Sequence, residues 1–294
     1  MQTYKKKLNF FRNKAVTEEI LSLDPVNDHC RMVHLITGYE FPWDMVRALE
    51  IALMRTFCSV SVSKLLHNTG EFRKHGQKRY DDTAILVAEF MQNGYDSDKG
   101  NRAIAHMNKI HGLYKIANED FLFVLSTFIF QPIEWVNSFG WRKLYPEEEQ
   151  ALFYFFREVA ERMEIKNIPT SLEALREFAS KYEKNNFIYK ETNYQVGMAT
   201  VNIVKKWMPG FAAPLVLPVI KCLLDEAMIK ALGFSSPSPV LKKMVRAAMQ
   251  LRAFCLQKIT FKKYPSFFTI EKIRTYPKGY NIESLGPENL IHKI

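Results

Sequence analysis

The chain of 294 residues has little of what several large protein classes require. Its 12 glycines and 13 prolines are too few for a collagen-like, low-complexity or Gly-rich all-β chain. Its four cysteines, Cys30, Cys58, Cys222 and Cys255, lie far apart and form no CxxC or zinc-type spacing. Cys58 and Cys255 fall inside apolar helical patterns, which predicts buried free thiols and fits a reducing compartment or simple burial. The longest apolar stretch, Phe211 to Leu224, is interrupted by Pro214, Pro218 and Lys221. It falls short of the roughly 18 apolar residues that argue for a spanning helix. The N-terminal MQTYKKKLNFFRNK is basic but has no apolar region after it, so it does not read as a secretory signal. These absences predict a cytoplasmic protein.

Chemical motifs are missing as well. There is no P-loop pattern, no GxGxxG and no GxSxG, which leaves phosphate-cradling loops and a nucleophile elbow without support. HExxH is absent, and no histidine has Glu three residues before it, which removes the pairs of carboxylate-bridged di-iron bundles. His106 and His111 are five apart, about 140° round a helix, so they cannot clamp one metal from a single face.

What is present is an ordinary globular composition, 47% hydrophobic and 24% charged, with a net charge of +10. The charge is uneven: residues 240–294 carry +8 and the rest only +2, which suggests an anionic partner surface. Apolar residues recur at helical rather than alternating spacing. Pro42 opens one helix; a second runs from Gln77 to about Gln92 and stops at Asn93-Gly94; a third spans about Lys99–Lys115. Asn118 is expected to cap a fourth, which Pro132 should kink. Pro146, followed by three glutamates, begins a fifth, and Thr170 to Glu173 reads as a capping box for a sixth. Further helical patterns cover about Tyr194–Trp207, Pro214–Leu232 and Pro239–Leu256. The prediction is an all-α bundle, with a looser tail after Phe261.

Two helices carry polar residues on apolar faces. On a wheel of about 100° per residue, His111 falls among Ala103, Ile104, Met107, Ile110 and Tyr114. His106 lies opposite, with Arg102 and Lys109, and is expected to face solvent. An inward histidine is either a hydrogen-bonded core residue or a metal or haem ligand. Gly112 beside it leaves room for a planar group. In the second helix Arg79 shares a stripe with Thr83, Leu86, Val87 and Phe90, and an arginine there needs an acid. That acid is either Asp82 or one on a neighbouring helix, or else the carboxylate of a ligand. The Thr83 hydroxyl could orient water or dioxygen, or simply back-bond its helix.

Five segments in order, EFPWDMVRALEIALMRTF, LLHNTGEFRKHGQKRYDDT, NRAIAHMNKIHGLYKIANEDFLFVL, PIEWVNSFGWRKLYPEEEQALFYFF and ERMEIKNIP, resemble the family that joins rubber oxygenases to the fungal oxygenase of mycophenolate biosynthesis. The resemblance covers residues 40–185 well and lies closest to the fungal branch. It implies a catalytic domain over 40–261, preceded by a helical extension over 1–39 and followed by a basic tail over 262–294. It further implies one haem b, with His111 as the axial iron ligand and Arg79 and Thr83 beside the haem as catalytic and haem-binding residues. The implied chemistry is dioxygen-dependent cleavage of a C=C bond in an isoprenoid chain. In the rubber-cleaving branch a lysine precedes the threonine, whereas Asp82 stands here, so a lysine-capped iron is not expected and rubber is a poor substrate. A smaller isoprenoid or lipid-like molecule fits better. Glu71 is the nearest upstream carboxylate, but the base stays unassigned.

Two other readings remain open: a non-catalytic haem or lipid carrier, and a basic module for nucleic acid, against which stands the lack of any reader motif. Between Pro239 and Leu256 an apolar side (Val240, Leu241, Met244, Val245, Ala248, Leu251, Cys255) adjoins Lys242, Lys243, Arg246 and Arg252. This is either a core helix with a solvated basic face or a peripheral contact with an anionic membrane.

Overall fold

A computed structural model describes residues 14–258 and 265–287. They fold as helices without a sheet: α1 (Lys14–Ser22), α2 (His29–Leu35), α3 (Pro42–Thr56), α4 (Val60–Thr69), α5 (Glu71–Lys74), α6 (Gly76–Asn93), α7 (Asp98–Gly112), α8 (Asn118–Phe139), α9 (Pro146–Arg162), α10 (Leu172–Asn186), α11 (Glu191–Trp207), α12 (Val216–Leu223), α13 (Glu226–Ala231) and α14 (Pro239–Lys258). The fold is all-α, as the periodicity predicts.

Local chemistry sets most helix ends. Gly94 closes α6 with φ of 83°, a conformation that costs glycine little. The Ser97 hydroxyl accepts from Gly100 N at 3.0 Å and starts α7. Pro146 occupies the first turn of α9, and the Glu148 carboxylate reaches back to Tyr145 N at 2.8 Å. Some ends differ from the sequence reading. Ser171, not Thr170, caps α10, accepting from Ala174 N at 3.1 Å. Asn118 is the first residue of α8 rather than its cap, because its amide is bonded to the backbone of Lys166. The helical pattern of 214–232 is divided, since Asp225 accepts from Met228 N and starts a new helix. Helix α8 continues through Pro132.

The core is a continuous apolar cluster in which α3 packs on α8, α2 on α9 and α6 on α7. Residues of α1 and α2, among them Ile20, Met32 and Leu35, belong to it. A π turn, Ile36–Glu40, follows α2 with all five residues buried. It brings Glu40 against Arg142, which binds Glu40 at 2.9 Å and Glu148 at 2.6 Å. Both carboxylates are buried, and the guanidinium lies over the rings of Phe41 and Tyr145.

Two expectations about the C-terminal part are corrected. Helix α14 has no buried residue, so it is not a core helix. Val240, Met244, Leu251 and Phe254 are 62–67% exposed, and Cys255 is exposed, not buried. The helix rests on α12 and is pinned by Arg252, whose guanidinium binds Asp44 at 2.9 Å and lies 3.8 Å from the Trp43 ring centre. Second, residues 265–287 are no loose tail but a strap across α6 and α7, burying Phe267, Ile273, Ile282 and Leu285. At Gly38 a Cβ would stand 2.0 Å from the Phe267 ring, so glycine is required there for the strap to seat. No helix of the described residues is long and apolar enough to cross a membrane.

Removing Arg142 would take from two buried carboxylates the cation that they share. Arg142→Met is expected to lower unfolding stability by about 3–5 kcal/mol, read as the shift of the urea midpoint; a loss below 1 kcal/mol would mean that the triad is not a structural clamp.

Candidate active site

Helices α6, α7 and α8 enclose a cavity of about 270 Å³ whose walls are mostly apolar, among them Leu86, Phe90, Phe121 and Phe156. Its polar residues include Arg79, Asp82 and Thr83 from α6, His111 and Tyr114 at the end of α7, and Glu71 from α5. The three residues singled out from the sequence, Arg79, Thr83 and His111, therefore line one cavity.

Their bonding differs from residue to residue. The His111 imidazole packs on Phe121, with ring centres 5.4 Å apart, and makes no hydrogen bond; its Nδ1 is buried without a partner. Burial, and next the nearby Arg79 charge, push its pKa down to about 4. The ring is thus neutral at physiological pH, with a nitrogen lone pair free for a ligand. Metal-bound histidines commonly donate their second nitrogen to a protein group; no protein group serves His111 in that way.

Arg79 has no acid within ion-pairing distance among the described residues. Its Nη1 donates to the Thr83 hydroxyl, which in turn donates to Arg79 O at 2.9 Å, and its guanidinium lies 5.5 Å from the Phe72 ring centre. Burial pulls its pKa down, opposed chiefly by the Asp82 charge. The expected pairing with Asp82 is not formed. Asp82 accepts instead from Lys78 at 2.8 Å, Tyr276 OH at 2.5 Å and Gly286 N at 3.0 Å, so the strap and Lys78 saturate it. An arginine half-buried in an apolar wall without a carboxylate can bind an anion. The Thr83 hydroxyl spends its hydrogen on the helix backbone, as the back-bonding reading has it, and a lone pair on Arg79.

His106 is a further correction. It is 3% exposed, and its Nε2–H donates to Leu285 O at 2.7 Å. The wheel places it on the polar face correctly, but the strap covers that face. Glu71, left unassigned from the sequence, shares the cavity without pairing to Arg79. No group of three or more His, Cys, Asp and Glu able to hold a metal ion occurs among the described residues. His111 is thus a lone nitrogen donor, which suits an ion whose other ligands come with it.

An all-α protein with an imidazole free of hydrogen bonds and a guanidinium without a carboxylate in one apolar cavity presents a candidate binding site. Residues 44–254 match the model of the ER-bound oxygenase mpaB/B'/Rubber oxygenase catalytic domain, and the chain belongs to that family. It is 26% identical over 236 residues to the ER-bound oxygenase mpaB' of Penicillium brevicompactum, covering 74% of this chain and 56% of that protein. It is 27% identical over 211 residues to the ER-bound oxygenase mpaB of Penicillium roqueforti (strain FM164), covering 66% and 71% respectively. The mpaB of Penicillium brevicompactum is 33% identical over 132 residues, 43% of this chain and 34% of that one. The chain thus spans little more than half the length of the first of these relatives.

The buried imidazole gives a pH signature in the protein without added cofactor. Unfolded, His111 takes a proton near pH 6.5; folded, it does so only near pH 4. Between those values the unfolded state binds more protons, so stability falls as pH drops and levels off below the folded value. His111→Phe should remove this part of the loss, on the order of 3 kcal/mol between pH 7 and 4, measured as the difference in urea midpoints of the two proteins. Parallel curves for wild type and variant would contradict a neutral, buried His111.

Proposed function

We propose that the chain is a haem-dependent oxygenase that uses dioxygen to cleave a C=C bond in an isoprenoid or other unsaturated lipid-like substrate. The observation that carries this reading is the pairing of an unpartnered neutral imidazole, His111, with an Arg79 that has no protein carboxylate. Haem b would be held by His111 at iron and by Arg79 at a propionate. Bound there, it would supply dioxygen activation. The remaining roles fall to the chain. Phe90, Phe121 and Phe156 exclude water and offer an apolar bed for the substrate. Thr83 fixes the Arg79 guanidinium and holds a hydroxyl within the cavity. Glu71, one of the carboxylates that line the cavity, would exchange a proton there. The relatives are called oxygenases, and family membership supports the same class here.

Haemin titration tests the iron assignment. His111→Ala should abolish the Soret band of the complex. His106→Ala, which loses a bond to the strap but no cavity nitrogen, should retain it. Identical behaviour of the two variants would overturn the assignment, and haem binding without any oxygen-dependent product would favour a carrier.

We infer also that α14 lies on an anionic membrane. Eight of the fifteen large apolar side chains exposed among the described residues fall between Met208 and Phe254. On a wheel of about 100° per residue, Val240, Met244, Ala247, Leu251 and Phe254 form one exposed stripe. Lys243 adjoins it, Arg246 and Lys242 lie about 120° and 160° from its centre, and α14 carries no acid. Self-association through this helix would oppose like charges, whereas anionic lipid complements them at about 1 kcal/mol per basic residue. Sedimentation should show salt-sensitive binding to phosphatidylserine vesicles and none to phosphatidylcholine. Leu251→Glu with Phe254→Glu should reduce binding at least tenfold; binding that survives this change places the contact elsewhere.

A further inference from the structure

Beside the main cavity lies a side arm of about 90 Å³. Leu53, Thr83, Val87 and Phe128 line both, so the two spaces meet at Thr83. The walls of the arm are apolar over most of their extent, with Met45, Leu49 and Met91 from the bundle and Phe267 and Phe268 from the strap. Within this lining stands one acid, Glu50.

The bonding of Glu50 is lopsided. Its Oε1 accepts from Arg47 Nη2 at 2.6 Å and from Tyr80 OH at 2.6 Å. Its Oε2 accepts from no protein group. The Glu50 side chain is 22% exposed and lines the arm, so a ligand that fills the arm and expels water from it must bring a donor to Oε2 or leave that oxygen unpaired. Burial raises the Glu50 pKa, with Arg47 and Tyr80 opposing, in keeping with a carboxylate short of solvation. Arg47 already balances its charge, so a neutral donor suits the site better than a second cation.

We propose that the arm seats the hydroxyl-bearing end of an elongated apolar ligand, whose O–H donates to Glu50 Oε2 while its chain runs past Thr83 toward His111. This rests on the reading of the main cavity as a seat for an isoprenoid or lipid-like chain, and it adds to that reading a polar end and a direction. Glu50 is then a recognition residue rather than a catalytic one. An apolar chain without a donor would leave Oε2 unpaired and be discriminated against, since a site built to bond a hydroxyl rejects the analogue that lacks it.

The test uses the whole chain and two probes of equal length, farnesol and farnesyl methyl ether, with binding followed by tryptophan fluorescence. Wild type should bind the alcohol about tenfold or more tightly than the ether. In Glu50→Met that preference should fall to within about twofold, with the affinity for the ether held. Ala88→Leu, which fills the arm without touching the carboxylate, should weaken the alcohol selectively, and melting curves of both variants check the fold. Equal affinity of wild type for the two probes overturns the proposal whatever the variants do. So does a preference that survives Glu50→Met. If neither probe binds wild type, the reading of the main cavity fails together with this one; if the ether binds and no preference exists, only the role of Glu50 falls.

Discussion

Three carboxylates of α6, Asp81, Asp82 and Glu89, are 1–2% exposed, and the strap is what makes that burial tolerable. Thr275 gives Asp81 its backbone N–H at 2.9 Å and its hydroxyl at 2.5 Å. Tyr276 and Gly286 N bond Asp82, and Tyr280 bonds Glu89. Each acid is costly to bury unpaired, and an apolar helix face would be cheaper. The gain is geometric: charge-assisted hydrogen bonds fix the strap residue by residue along α6.

That arrangement decides the electrostatics on the other side of the helix. With Asp82 committed to Lys78 and the strap, Arg79 is left with a threonine hydroxyl and an aromatic face. The cavity therefore holds a desolvated cation beside an imidazole kept neutral, two features that favour an anionic group and a metal respectively. The same strap borders both spaces, through Gly286 at the main cavity and Phe267 at the side arm.

The sequence makes local things legible and distant things not. Helical spacing located α6, α7 and α9 because their apolar stripes and end signals lie within a few residues of one another. The wheel placed His111, Arg79 and Thr83 on inner faces, and they share a cavity. It failed for His106, because the group that covers it lies 179 residues away. It left α14 open between core and surface for the converse reason: an apolar arc shows what a helix can bury, not whether a partner covers it. Glu50 escaped notice although a signal existed. It shares the stripe of Val46, Leu49 and Leu53, a polar residue on an apolar face just as Arg79 is.

The strap also sets an order of events. Its bonds to α6 and α7 join residues between 177 and 208 positions apart, and the strap leaves the ribosome after nearly all of the bundle. Because N-terminal parts fold first during synthesis, the walls of the cavity are assembled before their cover arrives.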